Sequence, residues 1–239
     1  TVIRKVKTPS SNIQWLPSML QTIDPLFPIG SYAHSYGLEE IVAMGKARNT
    51  DELANYLEGI VFLNLSQFEL PYLRFSYLSQ TSGDWEEIAN VDQEIGASKL
   101  SSEIRSASAT QGQQRLQLLS KLHPCGAFEK LTELRKNNQI APYHLTVFAA
   151  ERIQQNTPLD AILAAWTYQA LAAPCAASLK IMRIGQEGAQ RVLTQALESL
   201  FELIEISLKV ERDWAGAFNP LIDLASDRHE RAYSRLFIS

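Results

Sequence analysis

Four histidines (His34, His123, His144 and His229) and two cysteines (Cys125 and Cys175) are the whole stock of soft metal ligands in 239 residues. His123 and Cys125 flank Pro124 as an H-x-C pair. Two ligands do not close a tetrahedral site, and the other His and Cys residues lie far off in sequence. The pair therefore reads as a loop histidine beside a packed cysteine. Ser31 and Ser35 stand on either side of His34, which places a nucleophile near a base, but spacing defines no acid partner for them. No G-x-x-x-x-G-K-[ST], G-x-S-x-G or H-E-x-x-H motif occurs. The expectation is a non-catalytic chain with no intrinsic cofactor and no closed metal site. The alternative is a small-molecule hydrolase or metal enzyme working through His34 or through His123 and Cys125. His34 stays a candidate metal ligand because two-fold symmetry in a dimer would double any ligand near the axis.

Composition says what kind of frame holds these residues. Hydrophobic residues make up 46% and charged ones 20%, a globular balance that excludes wholesale disorder. The net charge is −4 with no basic block, so nucleic acid is not an expected partner. With 11 glycines and 10 prolines, the chain has few turn-makers for a fold of many short strands. Two cysteines build no disulfide framework, which points to a reducing compartment. Arg4, Lys5 and Lys7 lie in a basic start without an apolar stripe, and residues 1–12 are expected to be a flexible tail. Ala161–Leu179 carries no charge, but it is alanine-rich and closed by Asp160 and Lys180. It reads as a buried central helix and not as a membrane span.

Helical periodicity recurs elsewhere. Val192, Leu193, Ala196, Leu197, Leu200, Phe201, Leu203, Ile204 and Leu208 form one wide stripe, with Gly185 and Gly188 at its start. Thr50 is the expected cap of a second helix that Pro71 should bend or end. Residues 84–122 read as helical with Gly96 and Gly112 as weak points. Shorter helices are expected at Gly37–Gly45, Phe128–Lys136, Tyr143–Gln154 and Asn219–Ala225. No two-residue alternation of useful length and no composition break appears. The expected fold is all-α, a single-domain multi-helix bundle over 1–239.

Two segments stand apart from this background. Leu26–Glu40 reads LFPIGSYAHSYGLEE, in which Pro28, Gly30 and Gly37 give the loop a specified shape. Ser31, Tyr32, His34, Ser35, Tyr36 and Glu39 supply it with polar and aromatic groups suited to a contact surface. At the other end, residues 227–239 read DRHERAYSRLFIS. Arg228, His229, Glu230, Tyr233, Ser234 and Arg235 are directional polar groups, and Leu236 and Phe237 add apolar area.

Together these segments resemble the two signature ends of the urease accessory protein UreF family, a P-I-G-S-Y-x-H-S-Y-G-L-E loop and a terminal H-E-x-x-Y-S-R-L-F-x-S. Arg105, Ser108 and Gly112 are similar to the family's R-x-A-S-x-x-x-G. Lys180, Gly185 and Gln186 are similar to its basic-x-x-P-L-G-Q segment. The resemblance implies an all-helical, cytoplasmic, homodimeric accessory protein. It would bridge the scaffold protein UreD (UreH) and the GTPase UreG while nickel is delivered to apo-urease, with GTP bound by UreG and nickel handled by the assembly. It also implies partner or dimer contacts for the signature residues named above. The C-terminal segment is then expected to be mobile in the isolated chain and to order when the scaffold partner binds.

Overall fold

The computed structural model describes residues 13–30, 35, 37–216, 219–230 and 236–237; among them every regular element is helical. Pro17 sits in the first turn of α1 (Leu16–Ile23), where its missing N–H costs nothing. Gly37, at φ +84°, turns the chain into α2 (Leu38–Ala43). The next cap is Asn49, one residue ahead of the expected Thr50: its Oδ1 accepts the Glu52 N–H at 2.9 Å. α3 (Thr50–Tyr56) then continues through a π-turn at Leu57–Val61, the short α4 (Phe62–Asn64) and a second π-turn at Leu65–Glu69 into α5 (Leu70–Ser82). Pro71 neither ends nor breaks this rod. It cannot donate to the carbonyl of Gln67, and that carbonyl instead accepts the Gly216 N–H at 2.8 Å.

The remaining helices are α6 (Trp85–Ser98), α7 (Ser102–Leu122), α8 (Gly126–Lys136), α9 (His144–Gln154), α10 (Leu159–Ile181), α11 (Gln186–Glu198), α12 (Leu200–Lys209) and α13 (Pro220–Glu230). The stripe expected as one helix is divided at Ser199; Val192, Leu193, Ala196, Leu203 and Ile204 face inward, whereas the break turns Phe201, at 74% exposure, and Leu208 outward. α10 contains the charge-free stretch. By length and composition it is the one described helix that could cross a membrane, yet 56% of its most apolar window is buried within the protein. It packs against α11, α12, α5 and α2, as a core helix does.

α9 is enclosed still more completely, with His144 to Arg152 all buried between α5 and α7. Two glycines make this possible. A Cβ on Gly112 of α7 would lie 1.9 Å from the Pro142 carbonyl oxygen, and one on Gly96 of α6 would lie 2.5 Å from the Tyr143 hydroxyl. Gly112 is a contact point between two backbones and Gly96 makes room for the Tyr143 ring, so neither is a weak point in its helix. Asp92, fully buried, ties down the same entry: its carboxylate accepts the Ala141 N–H at 2.7 Å, the Tyr143 N–H at 2.9 Å and the Thr146 hydroxyl at 2.6 Å. Burial pushes the Asp92 carboxyl above its usual range even though these three bonds pull it down.

Beyond that entry lies a buried ionic network. Arg115 Nε donates to Glu151 at 2.6 Å, Arg115 Nη1 lies 3.1 Å from His144 Nε2, and Arg115 Nη2 donates to the Thr22 carbonyl at 3.1 Å. Arg152 Nη2 meets the other oxygen of Glu151. Three charges thus lie inside the protein, joining α1, α7 and α9.

Candidate functional site

The two ends of the chain meet at one corner. Ser35 accepts the Leu38 N–H through its carbonyl at 3.1 Å and the Glu39 N–H through its hydroxyl at 3.3 Å, which fixes the start of α2. That start aims Glu39 and Glu40 at the C-terminal residues. Glu40 pairs with Arg228 Nε at 2.6 Å. Glu39 accepts the Leu236 N–H at 2.8 Å and the Phe237 N–H at 3.0 Å, and its carboxylate lies 3.1 Å from His229 Nε2. The other ring nitrogen, Nδ1, lies 3.0 and 3.2 Å from the two oxygens of Glu103 on α7. The beginning of α7 is stitched to α13 further by Ser102 to Glu230 at 2.8 Å, by the Ser101 and Ser226 hydroxyls at 2.6 Å and by Ser226 to Glu103 at 3.2 Å.

Phe237 is buried in this corner, with the Lys180 ammonium 5.1 Å from its ring centroid. This corrects the expectation that the apolar tip is held in reserve for a partner. Phe237 is already spent on its own chain, while Leu236, at 70% exposure, remains available. Glu39 and His229 likewise face each other before they can face a partner. Pro28 and Gly30 are exposed, and Gly30 takes the positive φ of +81° that its place in the loop suggested. Gly185 and Gln186 are exposed at the start of α11 and take no part in the corner's hydrogen bonds. Ser31, Tyr32, His34, Tyr36, Tyr233, Ser234 and Arg235 lie outside the described residues, as does the tail expected over 1–12.

Glu103 and Glu40 were not legible as site residues, because their partners lie 126 and 188 positions away. Arg105, by contrast, closes the turn before α7 by donating to the Lys99 carbonyl at 2.7 Å. A cavity of about 380 Å³ runs along the alanine face of α10, from Trp166 and Phe68 to Glu103, His229 and Phe237. His123 is exposed and Cys125 half-buried at the junction of α7 and α8, and no group of three metal-ligating side chains occurs among the described residues. The corner combines hydrogen bonds to carboxylates, an exposed leucine and a defined entry turn.

The UreF family model matches residues 47–197, a span that lies wholly between the two signature ends. The chain is similar to the urease accessory protein UreF of Ectopseudomonas mendocina (strain ymp), 33% identical over 224 residues, which covers 93% of this chain and 98% of that protein. It is 31% identical over 235 residues to the protein of the same name from Pseudomonas savastanoi pv. phaseolicola, covering 95% of this chain and 100% of that one. The corresponding protein of Actinobacillus pleuropneumoniae serotype 5b is 27% identical over 224 residues, covering 94% of this chain and 99% of its own length.

Proposed function

The chain belongs to the UreF family, and from that premise we propose that it is a urease accessory protein acting without chemistry of its own. In this reading a cytoplasmic homodimer bridges UreD (UreH) and the GTPase UreG, so that GTP hydrolysis on UreG times nickel insertion into apo-urease. Nickel is cargo here and not a resident cofactor. The observation that carries the reading is the convergence of both signature segments on Glu39, at a corner that leaves Leu236 and the Arg228 side chain facing outward while the Glu40 carboxylate that holds Arg228 is buried. Such a corner supplies a partner with apolar area and directional charge together.

The direct test is capture of UreD and UreG by the tagged chain, with and without GTP and nickel, followed by reconstitution of nickel-dependent urease activity. Stable capture is expected, with no turnover by the chain alone; a chain that activates urease without binding either partner would overturn the reading. Gly37 offers a sharper probe. A Cβ there would meet no atom within 4 Å, so the only fault of Gly37→Val is its φ of +84°. That strain is worth about 1–3 kcal/mol, and it falls on the turn that aims Glu39. Helicity measured by circular dichroism should be unchanged, while capture of the partners weakens roughly tenfold or more. Normal capture by this variant would show that the turn has no part in docking.

A further inference from the structure

The cavity along α10 has a largely apolar wall, formed by Leu145, Leu193 and the alanines between Ala170 and Ala177. The polar groups set into that wall are unevenly paired. Among the described residues three carboxylates border the space, and each already has a donor. Glu69 accepts the Trp166 indole N–H at 2.7 Å, Glu103 accepts the Ser226 hydroxyl at 3.2 Å, and Asp223 accepts the Ser101 N–H. Lys180 lies over the Phe237 ring. Lys99 differs from all of these. Among the described residues its half-buried ammonium makes no hydrogen bond or ion pair, and it has only the Phe68 ring, 5.0 Å off at the centroid. Burial pushes its pKa below the ordinary lysine value, against a partial pull from the Glu69 carboxylate. Two amides face the same space. The Gln111 side chain, at 5% exposure, makes no hydrogen bond among the described residues, and the buried Gln169 Oε1 has no partner either. Buried polar groups are ordinarily paired, so three such groups around one cavity ask for an occupant.

We propose that this cavity binds an amphipathic carboxylate with an unbranched alkyl chain of medium length, its head group accepting from Lys99 and its tail lying along the alanine face of α10. An ammonium with little water around it needs both an opposite charge and acceptor atoms, and an ionised carboxylate supplies both. A cationic or uncharged head would leave that charge unanswered. A doubly charged head fits less well, because Lys99 is one cation and Glu69 stands close enough to act on it. The head belongs at the Trp166 end. Glu69 is bonded to that indole, Gln169 follows Trp166 by one turn, and Lys99 sits over Phe68 at the same end of the space. The tail has the length of α10 from Trp166 to Lys180, about 21 Å at the helical rise. A volume of about 380 Å³ drawn out along that face is within the range of small-molecule sites, and a chain fills such a shape better than a ring system does. Alanine side chains leave the slot open.

The test is isothermal titration calorimetry of the full chain at neutral pH with decanoate, decanol and decyltrimethylammonium, each below its micelle-forming concentration. Decanoate should bind saturably, decanol about tenfold more weakly or worse, and the cation not at all. Lys99→Met keeps the length of the side chain and removes its charge. It should bring decanoate down to the level of decanol while leaving decanol where it was. Ala173→Leu, which fills the slot, should weaken the acid and the alcohol alike, with circular dichroism confirming that both variants keep their helicity. Absence of saturable decanoate binding overturns the proposal. So does binding no tighter than that of decanol, or a Lys99→Met variant that holds decanoate as the natural chain does. Decanoate binding that disappears as the chain self-associates would give the cavity to a second copy, and overturns the proposal too. No urease partner enters these readings, so the site and the accessory function fail separately.

Discussion

Glu151→Gln is expected to lower the unfolding free energy by about 3–5 kcal/mol, the usual consequence of removing one partner from a buried ion pair. Its size follows from what stays behind. Arg115 and Arg152 are both fully buried, and Nε and Nη1 of Arg152 have no hydrogen-bond partner. Without the carboxylate, two guanidinium charges would face each other in a space that excludes water, and guanidinium does not surrender its proton. Urea denaturation at neutral pH reads the effect as a lower midpoint; an unchanged midpoint would mean that the network is indifferent to its central charge.

The same residue gives the loss a pH signature. Burial alone would raise the Glu151 carboxyl, but Arg115 and Arg152 together outweigh it and hold the group below its ordinary range. A depressed carboxylate stabilises the fold above its unfolded value of about 4.3, and that contribution disappears as the pH falls through the folded value. The stability gap between the natural chain and Glu151→Gln should therefore be constant from neutral pH down to about 5 and then narrow on further acidification.

Gly112→Ala should cost about 3 kcal/mol or more, although the same change in an open helix gains up to about 1 kcal/mol. The new Cβ would fall 1.9 Å from the Pro142 oxygen, 2.7 Å from the Tyr143 carbonyl carbon and 2.8 Å from the His144 nitrogen, all of them backbone atoms. No rotamer change relieves that. α9 must back away from α7, which pulls on the Asp92 cap and the Arg115–Glu151 bond together. Gly59, exposed and with no atom within 4 Å of its would-be Cβ, supplies the control: Gly59→Ala should leave the thermal midpoint level or slightly raised. Equal melting of the two variants would contradict the close-approach argument.

The contrast between these glycines marks where sequence reading stops. Apolar spacing announced the stripe of α11 and α12, though as one helix, and the uncharged, alanine-rich run announced α10, because each buries residues contiguous in its own sequence. Asn49 was overlooked in favour of Thr50 because both are good caps and only backbone geometry chooses between them. Gly112 looked like a helix defect because its neighbour, the 142–144 turn, is supplied by tertiary packing. The corner where the two ends meet was half legible. Gly30 and Gly37 hold the positive φ that their positions suggested, and both signatures were visible as signatures. That they would bind each other was not, since Glu103 enters from a third helix and local patterning carries no trace of a contact across 126 residues.

The two π-turns between α3 and α5 bear on how this rod tolerates changes in length. Each wide turn accommodates one residue beyond the α-helical count, and one residue turns an α-helix by about 100°. The angular phase of everything after Glu69 is thus set by residues 57–69, well before the side chains that use it. Leu70, Tyr72 and Leu73 point into the core because both extra residues are present, and Gly216, bonded to Gln67, holds the second turn open from outside. Substitutions along this stretch are matters of size and polarity. A single deletion would act like a slipped gear tooth, rotating a whole face of α5 off α9 while leaving every residue in it unchanged.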